Sequence, residues 1–280
     1  MPRSRAFCQV DVFTKVPYKG NPVAVVLDGE GLSDAEMQAF ANWTNLSETT
    51  FVVPVTMPGA DYHLRIFTPK AELPFAGHPT LGTAHAVVEA GLAAPRDGKL
   101  VQQCAIGLVE LTLDGAGPSF RLPRFAVEEL SDIEASAWLG EGVRLVGSPH
   151  AVNVGPTWLI AQLAEVSALE NLAHDPARLT AYYERTGMTG ATIFAIDGER
   201  VVVRSFAPGD GIPEDPVCGS GNAAVAAYRL VKGQIGEGDS YLASQGRQLG
   251  RDGWISARIE NGFVHIGGQC VTCITGTVAL

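Results

Sequence analysis

Hydrophobic and polar positions follow the same order twice along this chain of 280 residues. Tyr62–Gly91 and Val201–Gly233 each begin with a short strand pattern that ends in Arg-x-Phe-x-Pro. Each continues through a polar loop and a glycine-rich turn into an alanine-rich segment with the period of a buried helix. Further upstream, Thr50–Val53 resembles Thr192–Ala195. The pattern predicts a duplicated chain of two α/β halves that meet at a cleft.

The segments before these repeats also correspond, since each half has a strand pattern followed by a helix pattern. Asn21–Leu27 precedes a helix that we expect to start at Ser33, where Ser33 and Glu36 have the spacing of a capping box. Thr157–Leu163 precedes a second predicted helix, over Val166–Leu172. The duplication therefore extends over most of both halves.

The chain is predicted to pass between the halves at Gly115–Pro118 or in the loop around Gly140–Pro149, both of which are composed like linkers. We assign residues 1–116, together with a returning C-terminal strand over about 265–280, to the first domain. Residues 117–264 form the second domain, and each is long enough to bury its own core.

Composition narrows the functional classes. A net charge of −10, with no Lys/Arg cluster, argues against a nucleic-acid partner. The N-terminus lacks the apolar core of a signal peptide and no run is long enough to cross a membrane, so we expect a cytoplasmic protein. Five cysteines are expected to be reduced thiols, and the lone pair Cys270 and Cys273 lacks the second ligand pair of a metal site.

Two glycine-rich turns, each opening a predicted helix, are candidate anion sites. Free backbone N–H groups at a helix N-terminus attract negative charge without Lys or Arg. The candidate substrate-binding residues are Gly77 in the first half and Cys218, Gly219 and Ser220 in the second. The alternative is that these glycines only permit close helix–strand packing. The second turn lacks the spacing of a dinucleotide-binding fingerprint.

Glu48 is the candidate acid/base, because only the first half carries a carboxylate at this place and Gly190 occupies it in the second. A glutamate at an element end beside a cleft can be desolvated, which raises its pKa toward neutrality. His78 could hydrogen-bond a polar group of the substrate or relay a proton, and Asp215 could orient the substrate or the base. The simpler alternatives are a solvated helix-end glutamate, a turn histidine and an Asp-Pro turn.

Cys218 has two alternative roles. At a helix N-terminus its thiolate would be stabilised, which would make it a second base. It could equally be a packed, inert cysteine. Its counterpart in the first half is Ala76, so a symmetric pair of cysteine bases cannot operate.

Several separated motifs together resemble the phenazine-biosynthesis PhzF-like family over nearly the whole chain. They are Val10–Thr14 (VDVFT), Gly20–Pro22 (GNP), Leu46–Thr49 (LSET), Phe75–Gly82 (FAGHPTLG) and Glu214–Ser220 (EDPVCGS). The resemblance implies an α+β, diaminopimelate-epimerase-like fold with two pseudo-symmetric domains. Each would have a curved, mostly antiparallel sheet wrapped around a central helix, and the protein would be a homodimer.

The resemblance also implies a cofactor-independent isomerase without a metal, in which the catalytic residues match Glu48, His78 and Asp215. The best-understood family member isomerises trans-2,3-dihydro-3-hydroxyanthranilate. Family members that make phenazines tend to carry threonine at the place of Cys218, which here looks like the cysteine turn of diaminopimelate epimerase. We therefore expect a small carboxylate substrate whose identity is open. The alternatives are a Cys218-assisted racemase or epimerase, and a non-catalytic carboxylate-binding protein.

Overall fold

The structure, a computed structural model, describes residues 3–130, 134–140 and 143–280. Its strands are β1 (Ser4–Val12), β2 (Asn21–Val26), β3 (Thr49–Val53), β4 (Tyr62–Phe67), β5 (Glu72–Leu73), β6 (Lys99–Cys104), β7 (Gly107–Asp114), β8 (Gly117–Arg121), β9 (Ala126–Glu129), β10 (His150–Asn153), β11 (Thr157–Gln162), β12 (Gly190–Asp197), β13 (Arg200–Ala207), β14 (Ile212–Asp215), β15 (Ser240–Gln245), β16 (Gly253–Glu260), β17 (Phe263–Gly267) and β18 (Cys270–Ala279). Its α-helices are α1 (Asp34–Thr44), α2 (Gly77–Glu89), α3 (Glu134–Ala137), α4 (Val166–Glu170), α5 (Pro176–Thr186) and α6 (Gly219–Val231). Short 3₁₀ helices cover Pro208–Asp210 and Arg247–Leu249.

The chain divides into two compact units, which are described separately. The first ends at Phe120 and resumes over Gly267–Leu280, and the second comprises Arg121–Ile266. The change from the first unit to the second falls within β8, just after the linker-like stretch Gly115–Pro118.

The first unit is a mostly antiparallel sheet. Strand β1 pairs antiparallel with β18 and β2, β3 pairs antiparallel with β4, and β6 pairs antiparallel with β7. Two parallel pairs, β2–β3 and β4–β6, enclose the crossover helices α1 and α2. Helix α2 packs against β1, β2, β3, β4 and β18, so the sheet curves around it. Gly82 permits this approach, because a Cβ atom there would lie 2.5 Å from Val23.

The second unit repeats this order of pairing. Antiparallel pairs β10–β11, β12–β13 and β15–β16 alternate with parallel pairs β11–β12 and β13–β15. Helix α6 takes the place of α2 and packs against β9, β10, β11, β12 and β16. The predicted α+β fold of two pseudo-symmetric units is confirmed by this repeated topology.

The helices agree with the sequence patterns in two places and differ in one. Ser33 and Glu36 form the predicted capping box at the start of α1. Helices α2 and α6 begin at Gly77 and Gly219, at the two glycine-rich turns. The predicted helix over Val166–Leu172 is shorter, because α4 ends at Glu170. The longer helix of this connection is α5, whose N-cap Asp175 accepts hydrogen bonds from two backbone N–H groups.

A second hydrophobic layer in each unit packs on the sheet opposite the central helix. In the first unit Met37 and Ala41 of α1 pack with Phe51 and Phe67 of the strands. In the second unit the larger cluster includes Trp138, Leu179 and Tyr183. Within the described part of the chain, no helix combines the length and apolar character needed to span a membrane.

Candidate active site

Glu48 lies in the short connection between α1 and β3. Helix α1 ends at Asn45, whose left-handed backbone (φ 55°) turns the chain, and β3 begins at Thr49. Oε2 of Glu48 is 3.2 Å from Nδ1 of His78, and the two side chains are 16% and 7% exposed. The first unit therefore brings together two of the three predicted catalytic residues.

His78 is the second residue of α2 and is uncharged at neutral pH. Burial lowers its pKa from 6.5 to about 4, and the carbonyl of Pro22 opposes this shift by favouring the protonated ring. A neutral imidazole beside Glu48 can donate or accept one hydrogen bond but cannot form a permanent ion pair with it.

The N-terminus of α2 has no side-chain cap of its own. Its N-cap residue, Ala76, has no polar side-chain atom, whereas Ser33 caps α1 and Asp175 caps α5. Gly77 opens α2 and faces Phe120, because a Cβ atom there would lie 2.9 Å from the ring. Close packing against Phe120 thus explains the glycine at this position. The absence of a side-chain cap leaves the first N–H groups of α2 available to an anion.

Asp215 ends β14 in the second unit, next to a strong ion pair. Arg204 of β13 makes two parallel hydrogen bonds to the carboxylate of Glu214, each 2.9 Å long, and also donates to the carbonyls of Leu169 and Leu172. The bidentate contact fixes the direction in which β14 runs. Because Glu214 directly precedes Asp215, this contact also restrains the backbone of Asp215.

The pKa of Asp215 is raised from 3.8 to about 6. Burial is the main cause and the charge of Glu214 adds to it, while the hydrogen bonds from the Val217 N–H and from Cys218 oppose the shift. A carboxyl group with such a pKa exchanges its proton near neutral pH, which is a property of acid/base residues.

Gln245 organises this helix end, although nothing in the local sequence pattern indicates it. Its Oε1 accepts hydrogen bonds from the N–H of Cys218 and the amide of Asn222, and its Nε2 donates to the carbonyl of Asp215. The buried amide therefore joins the end of β14 to the start of α6. Its position in β15, far along the chain from these partners, is why sequence reasoning missed it.

Cys218 is the N-cap residue of α6 and is buried. Its Sγ accepts a hydrogen bond from the Gly221 N–H at 3.3 Å and lies 3.6 Å from Oγ of Ser220. Burial and the nearby charge of Asp215 raise the pKa of the thiol well above its ordinary value of 9.0, and the hydrogen bonds only partly offset this. A stabilised thiolate would require a lowered pKa, which is opposite to the direction found. The raised pKa agrees with the alternative of a packed, inert cysteine.

The remaining predicted binding residues open α6. Gly219 is buried at the first helical position, and Ser220 follows it, partly exposed. The predicted residues thus form two groups, one in each unit. Glu48, Gly77 and His78 are in the first unit, and Asp215, Cys218, Gly219 and Ser220 are in the second.

Comparison with known proteins identifies the family. The family model described as phenazine biosynthesis-like protein matches residues 10–276. Antisense-enhancing sequence 1 of Schizosaccharomyces pombe is 40% identical over 97% of both chains. The trans-2,3-dihydro-3-hydroxyanthranilate isomerase of Pseudomonas chlororaphis is 33% identical over 97% of this chain and 98% of its own.

A solved structure shares the fold. A phenazine biosynthesis protein of the PhzF family from Bacillus anthracis superposes with a TM-score of 0.85, covering 99% of this chain and all of its own length, at 21% identity. This likeness shows the fold, and the sequence matches show the family. The resemblance seen in the motifs is confirmed, and the chain belongs to the phenazine biosynthesis-like protein family, together with its isomerases.

Proposed function

We propose that the protein is a cofactor-independent isomerase that shifts a proton between two carbon atoms of a small cyclic carboxylate, with Glu48 as the acid/base. The observation that carries this proposal is the 3.2 Å approach of His78 to Glu48 at the N-terminus of α2. The name of the Pseudomonas chlororaphis relative, a dihydrohydroxyanthranilate isomerase, supports the substrate class.

In the proposed reaction Glu48, as a carboxylate, removes a proton from a carbon atom conjugated to the substrate carboxyl group. The C–H bond breaks and its electron pair moves toward the carboxyl group. N–H groups at the helix N-termini stabilise the negative charge that develops there. While Glu48 holds this proton, its carboxyl group exchanges it with solvent. Glu48 then delivers a proton to a different carbon, so a new C–H bond forms while the double bond moves.

His78 contributes as a neutral hydrogen-bonding group. Because burial lowers its pKa to about 4, it lies against the Glu48 carboxyl without adding a positive charge that would fix this group in the charged form. A positively charged histidine at this place would stabilise the carboxylate and weaken it as a base.

We propose further that residues of both units act on one substrate, with Asp215 orienting its polar substituents. The raised pKa of Asp215, about 6, supports this role, because it lets the group donate or accept a hydrogen bond near neutral pH. The raised pKa of Cys218 argues against a racemase that uses this thiol as its second base.

Incubation in heavy water with a panel of small carboxylates tests the proposed function. The panel contains trans-2,3-dihydro-3-hydroxyanthranilate, amino acids and hydroxy acids, and proton NMR follows each C–H signal. We expect deuterium to enter one carbon of a cyclic unsaturated carboxylate while an isomer accumulates. Binding of these carboxylates without exchange or isomer formation would favour the non-catalytic alternative.

A further inference from the structure

The second unit has a counterpart of the Glu48 position, and it cannot hold an acid/base. Thr50 and Thr192 occupy matching places in β3 and β12, where each pairs with the residue that follows the repeated arginine of β4 or β13. Counting back two residues in each chain segment brings Glu48 to Gly190. The pairing register of the strands therefore gives the same correspondence between Glu48 and Gly190 that the sequence predicts.

Gly190 has no room for a side chain. A Cβ atom at Gly190 would lie 2.3 Å from the carbonyl oxygen of Phe206 and 2.5 Å from the ring of Trp158. Trp158 lies directly beside Gly190 in the parallel pair β11–β12 and is buried. The indole ring thus occupies the space into which a carboxylate at this position would extend.

Ser220 is the counterpart of His78, since each is the second residue of its central helix. Nε1–H of Trp158 donates a hydrogen bond to Oγ of Ser220 at 3.2 Å. An indole N–H is only a donor, so Ser220 must accept in this contact and its own O–H remains free to donate. The nearby sulfur of Cys218 is a weak acceptor that a carboxylate oxygen would displace.

We propose that Trp158 is a positioning residue that turns the hydroxyl group of Ser220 toward a carboxylate of the substrate. The same ring fills the place that corresponds to Glu48, so the second unit has no room for a carboxylate there. The inference rests on the proposed function, because it names the residues that would bind the substrate carboxylate in that reaction. It explains why the duplicated chain has one proton-transfer pair and not two.

NMR of the tryptophan indole N–H groups, in the full chain labelled with ¹⁵N, provides the first test. The chain has four tryptophans, and Trp158→Phe identifies the Trp158 signal. In Ser220→Ala this signal should move upfield and exchange faster with solvent, while the signal of Trp138 stays in place. Trp138→Phe is the matched control, because it also removes a buried indole from the second unit.

Binding of 3-hydroxyanthranilate, an aromatic carboxylate that needs no turnover, provides the second test. Ser220→Ala and Trp158→Phe should each weaken binding by about tenfold, as expected for a hydrogen bond to a charged group. The double variant should bind no more weakly than Ser220→Ala alone, because Trp158 acts through Ser220. Trp138→Phe should bind like wild type.

Three outcomes would overturn the inference. They are unchanged binding in Trp158→Phe, additive losses in the double variant, and no binding of the probe to wild type. The proposed function can fail separately, because Glu48→Gln would then keep full turnover while these binding results remained as expected. Melting temperatures of all variants show whether any loss of binding reflects unfolding.

Discussion

His78 and Glu48 form a close pair of side chains in the first unit, with Nδ1 and Oε2 3.2 Å apart. In the second unit Ser220 and Gly190 occupy the corresponding places, and the ring of Trp158 fills the space beside them. Duplication thus gave two similar scaffolds, and of these two places only the one in the first unit carries a carboxyl group beside an imidazole.

Replacing His78 by glutamine should remove a pH-dependent component of stability. Between pH 6.5 and about 4 the unfolded chain binds a proton at this histidine that the folded chain excludes. The contribution of His78 to the free energy of unfolding is therefore complete above pH 6.5. It is lost as the pH falls through the folded-state pKa of about 4. Relative to His78→Gln, wild type should lose up to about 3 kcal/mol of unfolding free energy across this window.

Urea denaturation at several pH values measures this difference. Because other groups titrate in the same range, only the difference between the two proteins is informative. A difference that stays constant across the window would contradict the burial of a neutral His78 imidazole.

Asp215→Asn should have the opposite pH dependence. The pKa of Asp215 is raised from 3.8 to about 6, so the folded protein binds this proton more tightly and loses stability as the pH rises through that interval. Asparagine imitates the protonated acid and can still accept from the Val217 N–H. Above the upper pKa the variant should be more stable by up to about 3 kcal/mol, since asparagine carries no charge to bury. It should also lose activity, a trade-off expected of functional residues.

The same denaturation series, with an activity assay on each sample, measures both effects. A variant that is less stable than wild type at neutral pH, or that keeps full activity, would show that Asp215 serves only the turn.

Cys218→Ser should keep most of the activity. The thiol is buried and its pKa lies well above the ordinary value, so it does not act as a base at neutral pH. Serine is a favourable N-cap residue and can accept the Gly221 N–H that now binds Sγ. The turnover number should change by less than about tenfold, because no proton transfer depends on this position.

Thiol alkylation of wild type provides the parallel measurement, with substrate protection as its control. Rapid, substrate-protected inactivation, together with an inactive Cys218→Ser, would instead establish the two-base racemase.

Two arginines at matching places offer a paired test of stability. Arg204 binds Glu214 bidentately, and Arg65 binds Glu72 in the same way. The side chains of the second-unit pair are 8% and 11% exposed, whereas those of the first-unit pair are 22% and 39% exposed. Arg204→Ala should cost about 3 kcal/mol or more, because it leaves the carboxylate of Glu214 buried without its partner. Arg65→Ala should cost about 1 kcal/mol.

Chemical denaturation of both variants at neutral pH checks this order. Equal losses would contradict the role of burial, and a normal affinity for carboxylates in Arg204→Ala would show that Asp215 is held by other contacts.

The sequence predicted the fold where the pattern is local. Alternation along the strands, the Arg-x-Phe-x-Pro endings and the glycine-rich turns each depend on a few neighbouring residues, and these features revealed the duplication and the starts of α2 and α6. The same alignment of the two halves identified the position of Glu48 and showed that the second half has no carboxylate there. The capping box at Ser33 was equally local.

Features that depend on distant residues were not predictable. Trp158 is 62 positions from Ser220, and Gln245 is 27 positions from Cys218, so no sequence period links them. The sequence left the state of Cys218 open for a related reason. Its position at a helix end is compatible with a stabilised thiolate, but the burial and the charge of Asp215 that raise its pKa come from tertiary structure.

Solvent deuterium incorporation by Glu48→Gln is the most direct test of the central claim. The measurement compares wild type, Glu48→Gln and the control Glu110→Gln, which changes an exposed glutamate of the first unit, on the carboxylate that wild type isomerises. We expect exchange at one carbon in wild type and control, and a loss of at least about 10²-fold in Glu48→Gln at unchanged melting temperature. A folded Glu48→Gln protein with wild-type exchange would contradict the assignment of Glu48 as the acid/base.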